Sequence, residues 1–299
     1  MNTSDITKLA TERRNPRSRD IDRLTTAEMV SLINSEDKKV ADAVEKVCPQ
    51  IAAAIDLIYA RMKRGGRLIY CGCGTSGRLG ILDASECPPT YSVSPETVQA
   101  VIAGGKGAVF NAVEGAEDSA ELGKEDMLKL ALTENDTLVG IAASGRTPYV
   151  LGAMKAARDA GAGVIGLTCC PGSAIERAAD IGISPDPGPE VITGSTRMKC
   201  GTAQKMVLNM LSTCTMVKLG KVYGNLMVDV KPSNEKLVHR CISIVREATG
   251  ADEKTAVAAL EACGYKCKTA IVMLLCSVSA DEAEARLGRS DGRVADAIR

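Results

Sequence analysis

The chain has 299 residues, 45% of them hydrophobic and 25% charged, a globular composition sized for one large domain or two ordinary ones. Lysine plus arginine and aspartate plus glutamate each number 37, so the formal net charge is zero. With no Trp, one Phe and six Tyr as well, the chain is short of stacking platforms and has no overall basic field, which disfavours a general nucleic-acid binder while leaving room for a local basic patch. No apolar run reaches the ~18–20 residues of a membrane span. The N-terminus, with Glu12, Arg13, Arg14, Arg17 and Arg19, has no apolar core of a secretory signal. Both point to a cytoplasmic protein whose twelve cysteines are free thiols.

Residues 1–22, polar and broken by Pro16, read as an extended arm. Thr25-Thr26-Ala27-Glu28 is a capping box, and an apolar helical stripe follows at Val40, Val44, Val47, Ile51, Ile55, Ile58 and Met62. Pro49 interrupts that stripe, which predicts a kink or two helices, and Gly65-Gly66 ends it. Alternation begins next. Strands are expected at Arg67–Cys71, Val98–Ala103, Thr137–Ala143, Gly163–Thr168 and Ile181–Ser184. Helices are expected near Leu79–Cys87, Ser119–Leu130 and Pro148–Ala160. Strands alternating with helices imply a parallel sheet covered on both faces, with its ligand site outside the carboxyl ends of the strands.

Met198–Lys221 reads as a long helix with an apolar stripe at Met206, Val207, Met210, Leu211, Cys214 and Val217. Beyond Gly224 only helices are expected, near 233–248, 252–263, 266–277 and 280–287. Gly250 and Gly264 punctuate them, and Ser279 with Glu282 forms a second capping box. That region has no strand ends, so it reads as structural support.

The loop after the first strand, Gly72-Cys73-Gly74-Thr75-Ser76-Gly77, fits the G-x-G-x-x-G dinucleotide pattern, but the match alone is weak. The acidic residue that a dinucleotide ribose needs about 20 residues on is missing, since the second strand runs into Ile102-Ala103-Gly104-Gly105. The loop has an echo. Ser76-Gly77-Arg78 after the first strand is repeated as Ser144-Gly145-Arg146 after the third, each before a helix. Two hydroxyl-rich loops at helix N-termini make a phosphate cradle, against the plainer alternative of two turns with capping hydroxyls. Acidic stretches follow both of the first two strands, at Asp83-Ala84-Ser85-Glu86-Cys87-Pro88-Pro89 and Glu114-Gly115-Ala116-Glu117-Asp118. The neighbouring prolines and glycines place them in or near turns at the strand ends, where paired carboxylates suit general acid/base chemistry. His239 is the single histidine and lies in a charged, helical stretch, which disfavours a nucleophile–histidine site. Cysteine spacing is poor for zinc, with no C-x-x-C, and there is no Walker sequence, so neither a metal nor a nucleotide site is expected.

The runs GCGTSGRLGILDASECPPTY, VEGAEDS, ASGRTPYV and GSTRMKCGTAQKMVLNMLST, with NPRSRDIDRLTTAEM before them and GNLMVDVKPSNEKL after, resemble the bacterial N-acetylmuramic acid 6-phosphate etherases. The resemblance covers about residues 11–277. It implies a three-layer αβα sugar isomerase (SIS) domain with a parallel sheet over residues 59–224. An N-terminal arm and helices over 1–58 and a small helical C-terminal domain over 225–299 would flank it. It also implies a reaction, cleavage of the D-lactyl ether of a phosphorylated amino sugar by elimination and then hydration, within cell-wall sugar recycling. A homodimer is implied as well, and no organic cofactor. Glu86 matches the acid that assists lactate departure and then activates water; Glu117 matches the second catalytic glutamate, most simply the base at C2–H. The pair is firmer than the division of roles. Gly74, Thr75, Ser76, Ser144, Gly145, Arg146, Thr147 and Ser195 match the substrate- and phosphate-binding positions. In other SIS domains the second loop reads Ser-x-Ser-Gly-x-Thr. Here Ala142 replaces its first serine, so Thr75, Ser76 or Arg146 must compensate. Lys199 stands between a site contact and a solvated lysine. A sugar-phosphate-sensing regulator without activity, like the glucokinase regulator related to these enzymes, is the alternative, and retention of both glutamates favours the enzyme. A NAD-dependent oxidoreductase and an aldose–ketose isomerase are more distant readings.

Overall fold

The computed structural model describes residues 10–299 except Ala112, Lys231 and Ser233. By its contacts the chain divides into two compact units, residues 1–85 with 96–212, and residues 86–95 with 213–299.

The first unit is built on five parallel strands: β1 (Leu68–Gly72), β2 (Val98–Ile102), β3 (Thr137–Ile141), β4 (Gly163–Leu167) and β5 (Ile181–Ile183). Their order is β2-β1-β3-β4-β5. β1, β3 and β4 are buried along their whole length, as expected of strands covered on both faces. Successive side chains point to opposite faces. Ile69, Cys71 and Leu138 pack with Tyr149, Val150, Ala153 and Met154 of helix α5 (Pro148–Asp159), which also contacts α4 (Ala120–Lys129). Tyr70 points the other way, and its hydroxyl donates to Asp83 of α3 (Gly74–Tyr91) at 2.8 Å. Asn209 and Ser212 of α7 (Lys199–Lys218) donate to the other Asp83 oxygen at 2.6 and 3.1 Å. Asp83 is thus a clamp between sheet, α3 and α7. This is the SIS-type doubly wound α/β fold expected from the sequence.

Before the sheet lie α1 (Thr26–Glu45) and α2 (Cys48–Met62). Thr25 and Glu28 form the expected capping box, and Pro49 falls in the first turn of α2, so the interrupted stripe is two helices. A short α6 (Ala174–Ala178), which the sequence reading missed, precedes β5.

Three expectations need correction. The arm, whose residues 1–9 lie outside the described residues, is not extended from Ala10 onward; it forms 3-10 turns at Ala10–Glu12, Pro16–Ser18 and Ile21–Arg23, with Thr11, Asn15 and Ser18 buried. Ser18 Oγ donates to Val191 O at 2.7 Å and Asn15 Nδ2 to Pro189 O at 3.2 Å, long-range bonds that patterning cannot reveal. Next, α3 starts at Gly74 and runs through Pro88-Pro89 to Tyr91, so Glu86 sits on an exposed helical face rather than in a turn. The prolines lie close to the helix end, where they remove two backbone donors without interrupting its middle. Finally, the buried face of α7 carries Ala203, Gln204, Val207, Leu208, Leu211, Ser212, Thr215 and Met216, whereas Cys214 and Val217 are exposed. Small and polar residues occupy its buried face, so a stripe drawn through the larger apolar residues is rotated from the true one.

The second unit is helical: α8 (Glu235–Thr249), α9 (Glu253–Ala262), α10 (Cys267–Cys276), α11 (Ala280–Arg289) and α12 (Val294–Ala297). The expected first residue of α8, Ser233, lies outside the described residues. Asn234, Asp252 and Ser279 cap their helices, and Gly250 ends α8 with a left-handed φ of 73°. Only half of the second capping box forms, because the Glu282 carboxylate accepts from Arg286 instead. Cys241, Val245, Leu260, Ile271 and Val294 make the core. All twelve cysteines are free. Among the described residues no helix is long and apolar enough to cross a membrane.

Candidate active site

In the order β2-β1-β3-β4-β5 the connections diverge on the two sides of β1, and a crevice opens outside the carboxyl ends of β1 and β3. A cavity of about 240 Å³ occupies that position. Its walls come from Cys73, Gly74, Thr75 and Ser76 after β1, and from Ile141 to Ser144 and Thr147 after β3. Glu117 of the long β2–α4 loop, Gly194 and Thr196 before α7, and Thr11 and Glu12 of the arm complete it.

The glycine loop folds as it does because β1 and α3 almost touch. A Cβ on Gly77 would lie 2.7 Å from Gly72 O and 2.6 Å from Ile102 Cγ1. That contact lets α3 begin directly after the strand, with Gly74, Thr75 and Ser76 of its first turn on the cavity wall. The first four N–H groups of a helix have no intrahelical acceptor and carry its positive dipole end, so they favour an anion. α5 begins at Pro148, seven residues beyond the end of β3, and its N-cap Thr147 makes no capping bond with its hydroxyl. Gly145 has φ +66° and lies under the loop, where an added Cβ would meet the Ser173 hydroxyl; it shapes the turn rather than lining the cavity.

Six of the ten residues singled out by resemblance therefore share one cavity wall: Gly74, Thr75, Ser76, Glu117, Ser144 and Thr147. Gly145, Arg146 and Ser195 are not on that wall, although Ser195 lies between two residues that are. Glu86 is not on it either. The hydroxyl of Ser76 donates to Gln204 Oε1 at 2.8 Å, so toward an anion this residue offers its backbone N–H first. The Ser-Gly-Arg echo is partly architectural. Arg78 donates to Val109 O and Ala108 O at 2.7 and 2.9 Å and so steadies the β2–α4 loop that carries Glu117. Lys199 is neither a site contact nor solvated. It is buried, and its Nζ donates to Glu36 Oε2 at 2.9 Å and Pro187 O at 2.8 Å.

Glu117 is exposed and lines a second hollow of about 210 Å³ that shares Cys73 and Gly74 with the first and adds Glu114 and Arg78. Burial, and then the carboxylates of Glu117 and Asp118, push the Cys73 thiol up to about 12. It is therefore a neutral thiol at physiological pH and a poor nucleophile. Among the described residues no three His, Cys, Asp or Glu side chains cluster as a metal site. Sequence reading missed Thr11 and Glu12 as wall residues, because only tertiary contacts bring the arm to the sheet.

The five-stranded parallel sheet, with a cavity outside the carboxyl ends of β1 and β3, has the architecture of the SIS domain. Models of the glucokinase regulatory protein N-terminal SIS domain and of the SIS domain match residues 50–158 and 112–213. A phosphoheptose isomerase structure from Francisella tularensis is similar in fold, with TM-score 0.50 and 20% identity, over 65% of this chain and all of that one. Relatives named N-acetylmuramic acid 6-phosphate etherase are far nearer in sequence. The one from Clostridium beijerinckii is 55% identical over 100% of this chain and 98% of its own, and the one from Aeromonas hydrophila 57% identical over 97% of both. The chain belongs to the N-acetylmuramic acid 6-phosphate etherase family.

Proposed function

We propose that this protein cleaves the D-lactyl ether of N-acetylmuramic acid 6-phosphate, giving N-acetylglucosamine 6-phosphate and D-lactate. The observation that carries the reading is the full-length identity of 55–57% to relatives of that name. The cavity supports it chemically. The helix N-termini and the hydroxyls of Thr75, Ser144 and Thr147 suit the 6-phosphate, and Glu117 lies on the same wall. In the open-chain sugar the aldehyde acidifies C2–H, and Glu117 takes that proton. The C3–O bond then breaks, lactate leaves with a proton on the ether oxygen, and water adds back to C3. Holding the phosphate fixes C2 against the base, which turns proton transfer into a step within one complex. A sensor would need no carboxylate on that wall.

Glu86 is the proposed partner acid. It lies twelve residues beyond Gly74 on a continuous α3, about 18 Å along the axis at 1.5 Å per residue. In the proposed homodimer Glu86 supplies the proton that lactate takes on leaving. Twelve free thiols suit the cytoplasm, where sugar phosphates are made and used. The test is incubation with N-acetylmuramic acid 6-phosphate in H₂¹⁸O. Released D-lactate without label, and ¹⁸O at C3 of the amino sugar, are expected; no lactate, or label in the lactate, defeats the reading.

A further inference from the structure

We propose that the N-terminal arm carries the sugar-recognition wall of the cavity, with Glu12 and Thr11 accepting or donating hydrogen bonds to the neutral body of a phosphorylated sugar. The inference rests on the phosphosugar reading of the cavity. Both residues line the same cavity as Ser144 and Thr147, and they arrive there from a segment outside the sheet and its loops.

Glu12 cannot serve the phosphate. A carboxylate against a phosphate repels it, so a ligand whose anion sits on the helix N-termini must turn a hydrogen-bond donor toward Glu12. A sugar phosphate offers hydroxyl donors, and an acylated amino sugar adds an N–H. Glu12 Oε2 also lies 3.3 Å from where a Cβ on Gly194 would stand, which places the carboxylate against the other cavity wall. Thr11 supplies the second, independent observation. It is 2% exposed, and among the described residues its Oγ1 finds no hydrogen-bond partner. Buried hydroxyls are nearly always paired, and an unpaired one beside a cavity points to a ligand that pairs it.

The arm is held independently of these two side chains. Asn15 donates to Glu36 and Pro189, Arg17 to Glu36, and Ser18 to Val191. Substitutions at Thr11 and Glu12 therefore leave the arm anchored, and their effects report on the ligand.

The experiment measures binding of N-acetylglucosamine 6-phosphate, glucose 6-phosphate and inorganic phosphate by calorimetry to the full chain and to Glu12→Ala, Glu12→Gln and Thr11→Val. Glu12→Ala should weaken the sugar phosphates roughly ten- to a hundred-fold, the loss of a hydrogen bond to a charged acceptor, with Glu12→Gln in between. Inorganic phosphate should bind as before or more tightly, because a nearby negative charge is gone. Thr11→Val should weaken the sugar phosphates while thermal stability holds or rises, since it removes an unpaired buried hydroxyl. Sugar-phosphate affinity unchanged in all three variants, or sugar phosphates and inorganic phosphate weakened alike, overturns the proposal. If the native protein binds glucose 6-phosphate but not N-acetylglucosamine 6-phosphate, the etherase reading falls instead, and the variants tested with glucose 6-phosphate still decide the role of the arm.

Discussion

Replacing Glu36 by Gln tests how the arm and α7 are held. Glu36 is 1% exposed on α1 and gathers four donors. Arg17 and Lys39 each reach Oε1 at 2.6 Å, and Asn15 and Lys199 reach Oε2 at 3.0 and 2.9 Å. Burial alone would raise its pKa. The hydrogen bonds from Lys39, Lys199 and Asn15, with the Lys199 charge, outweigh burial and hold it down from 4.5 to about 2. A carboxyl held that far down contributes on the order of 3–4 kcal/mol of folding free energy. The stabilisation is complete above the unfolded pKa of 4.5 and disappears as pH falls through about 2. A second route gives a similar size. Glu36→Gln leaves the Lys199 ammonium buried without its counter-charge, and breaking a buried pair in this way costs about 3–5 kcal/mol. For a unit of some 200 residues the melting temperature should fall by roughly 6–20 °C at neutral pH. Urea unfolding of native and variant protein between pH 7 and pH 2 is the assay. The difference should be full at pH 7 and shrink in acid. Adding Lys199→Met to Glu36→Gln should recover part of the loss, because a neutral, volume-matched pair leaves no buried charge. A difference below about 1 kcal/mol at pH 7 would refute the argument, since a pair this buried and this well bonded cannot be that weak unless Lys199 finds another counter-charge.

Glu117→Gln should lower kcat for lactate release roughly 10²–10⁴-fold with KM little changed; near-native turnover removes Glu117 from the chemistry. Ser144→Ala should raise KM for the phosphorylated sugar about ten- to a hundred-fold, and a KM within two- to three-fold of native would take the phosphate away from that loop. Gly152→Ala should destabilise by about 1–3 kcal/mol or more in urea unfolding, because its Cβ would stand 1.9 Å from Ala120 O where α4 and α5 touch. Lactate release should survive EDTA treatment and gel filtration with nothing restored; activity that returns only with a divalent metal or NAD would contradict the acid–base route.

The sheet was legible because each strand is a short apolar run bounded by glycine, proline or polar turns, and because strand–helix alternation leaves few topologies. The two hydroxyl-bearing loops that line the cavity were legible for a related reason: strand, hydroxyls and helix lie within a few consecutive residues. What stayed hidden depends on contacts remote in sequence. Gly74 to Gly77 read as a loop because glycine is a poor helix former, yet the strand–helix contact at Gly72 and Gly77 starts α3 there. Lys199 read equally as a site contact or a solvated lysine, and its partner Glu36 lies 163 positions away. Ser76 looked like an anion donor, but Gln204, 128 positions on, takes its hydroxyl. Thr11 and Glu12 carry no local signal at all, since arm residues become cavity walls only through the anchors at Asn15, Arg17 and Ser18.

The chemistry open to this cavity follows from which of its groups can move a proton near neutrality. Hydroxyls of Thr75, Ser144 and Thr147 titrate far too high to act alone and have no histidine beside them to activate them, for His239 is exposed on α8 with Glu235 at 3.9 Å. The one thiol on the wall, Cys73, is pushed up to about 12 by burial and by Glu117 and Asp118, so it is neither a ready nucleophile nor a base. Glu117 shares the cavity wall with Cys73, Gly74 and Thr75, so its carboxylate borders whatever lies over the start of α3, where the proposed phosphate cradle would place the sugar. In the proposed mechanism the residues that hold the ligand and the residue that takes its proton therefore come from different loops, after β1 and β3 for the anion and after β2 for the base. The Arg78 bonds to Ala108 and Val109 keep the β2 loop in register with the first of these. An α-proton made acidic by the substrate's own aldehyde needs little more from the protein than that alignment, which is why an elimination suits this wall better than acyl or phosphoryl transfer.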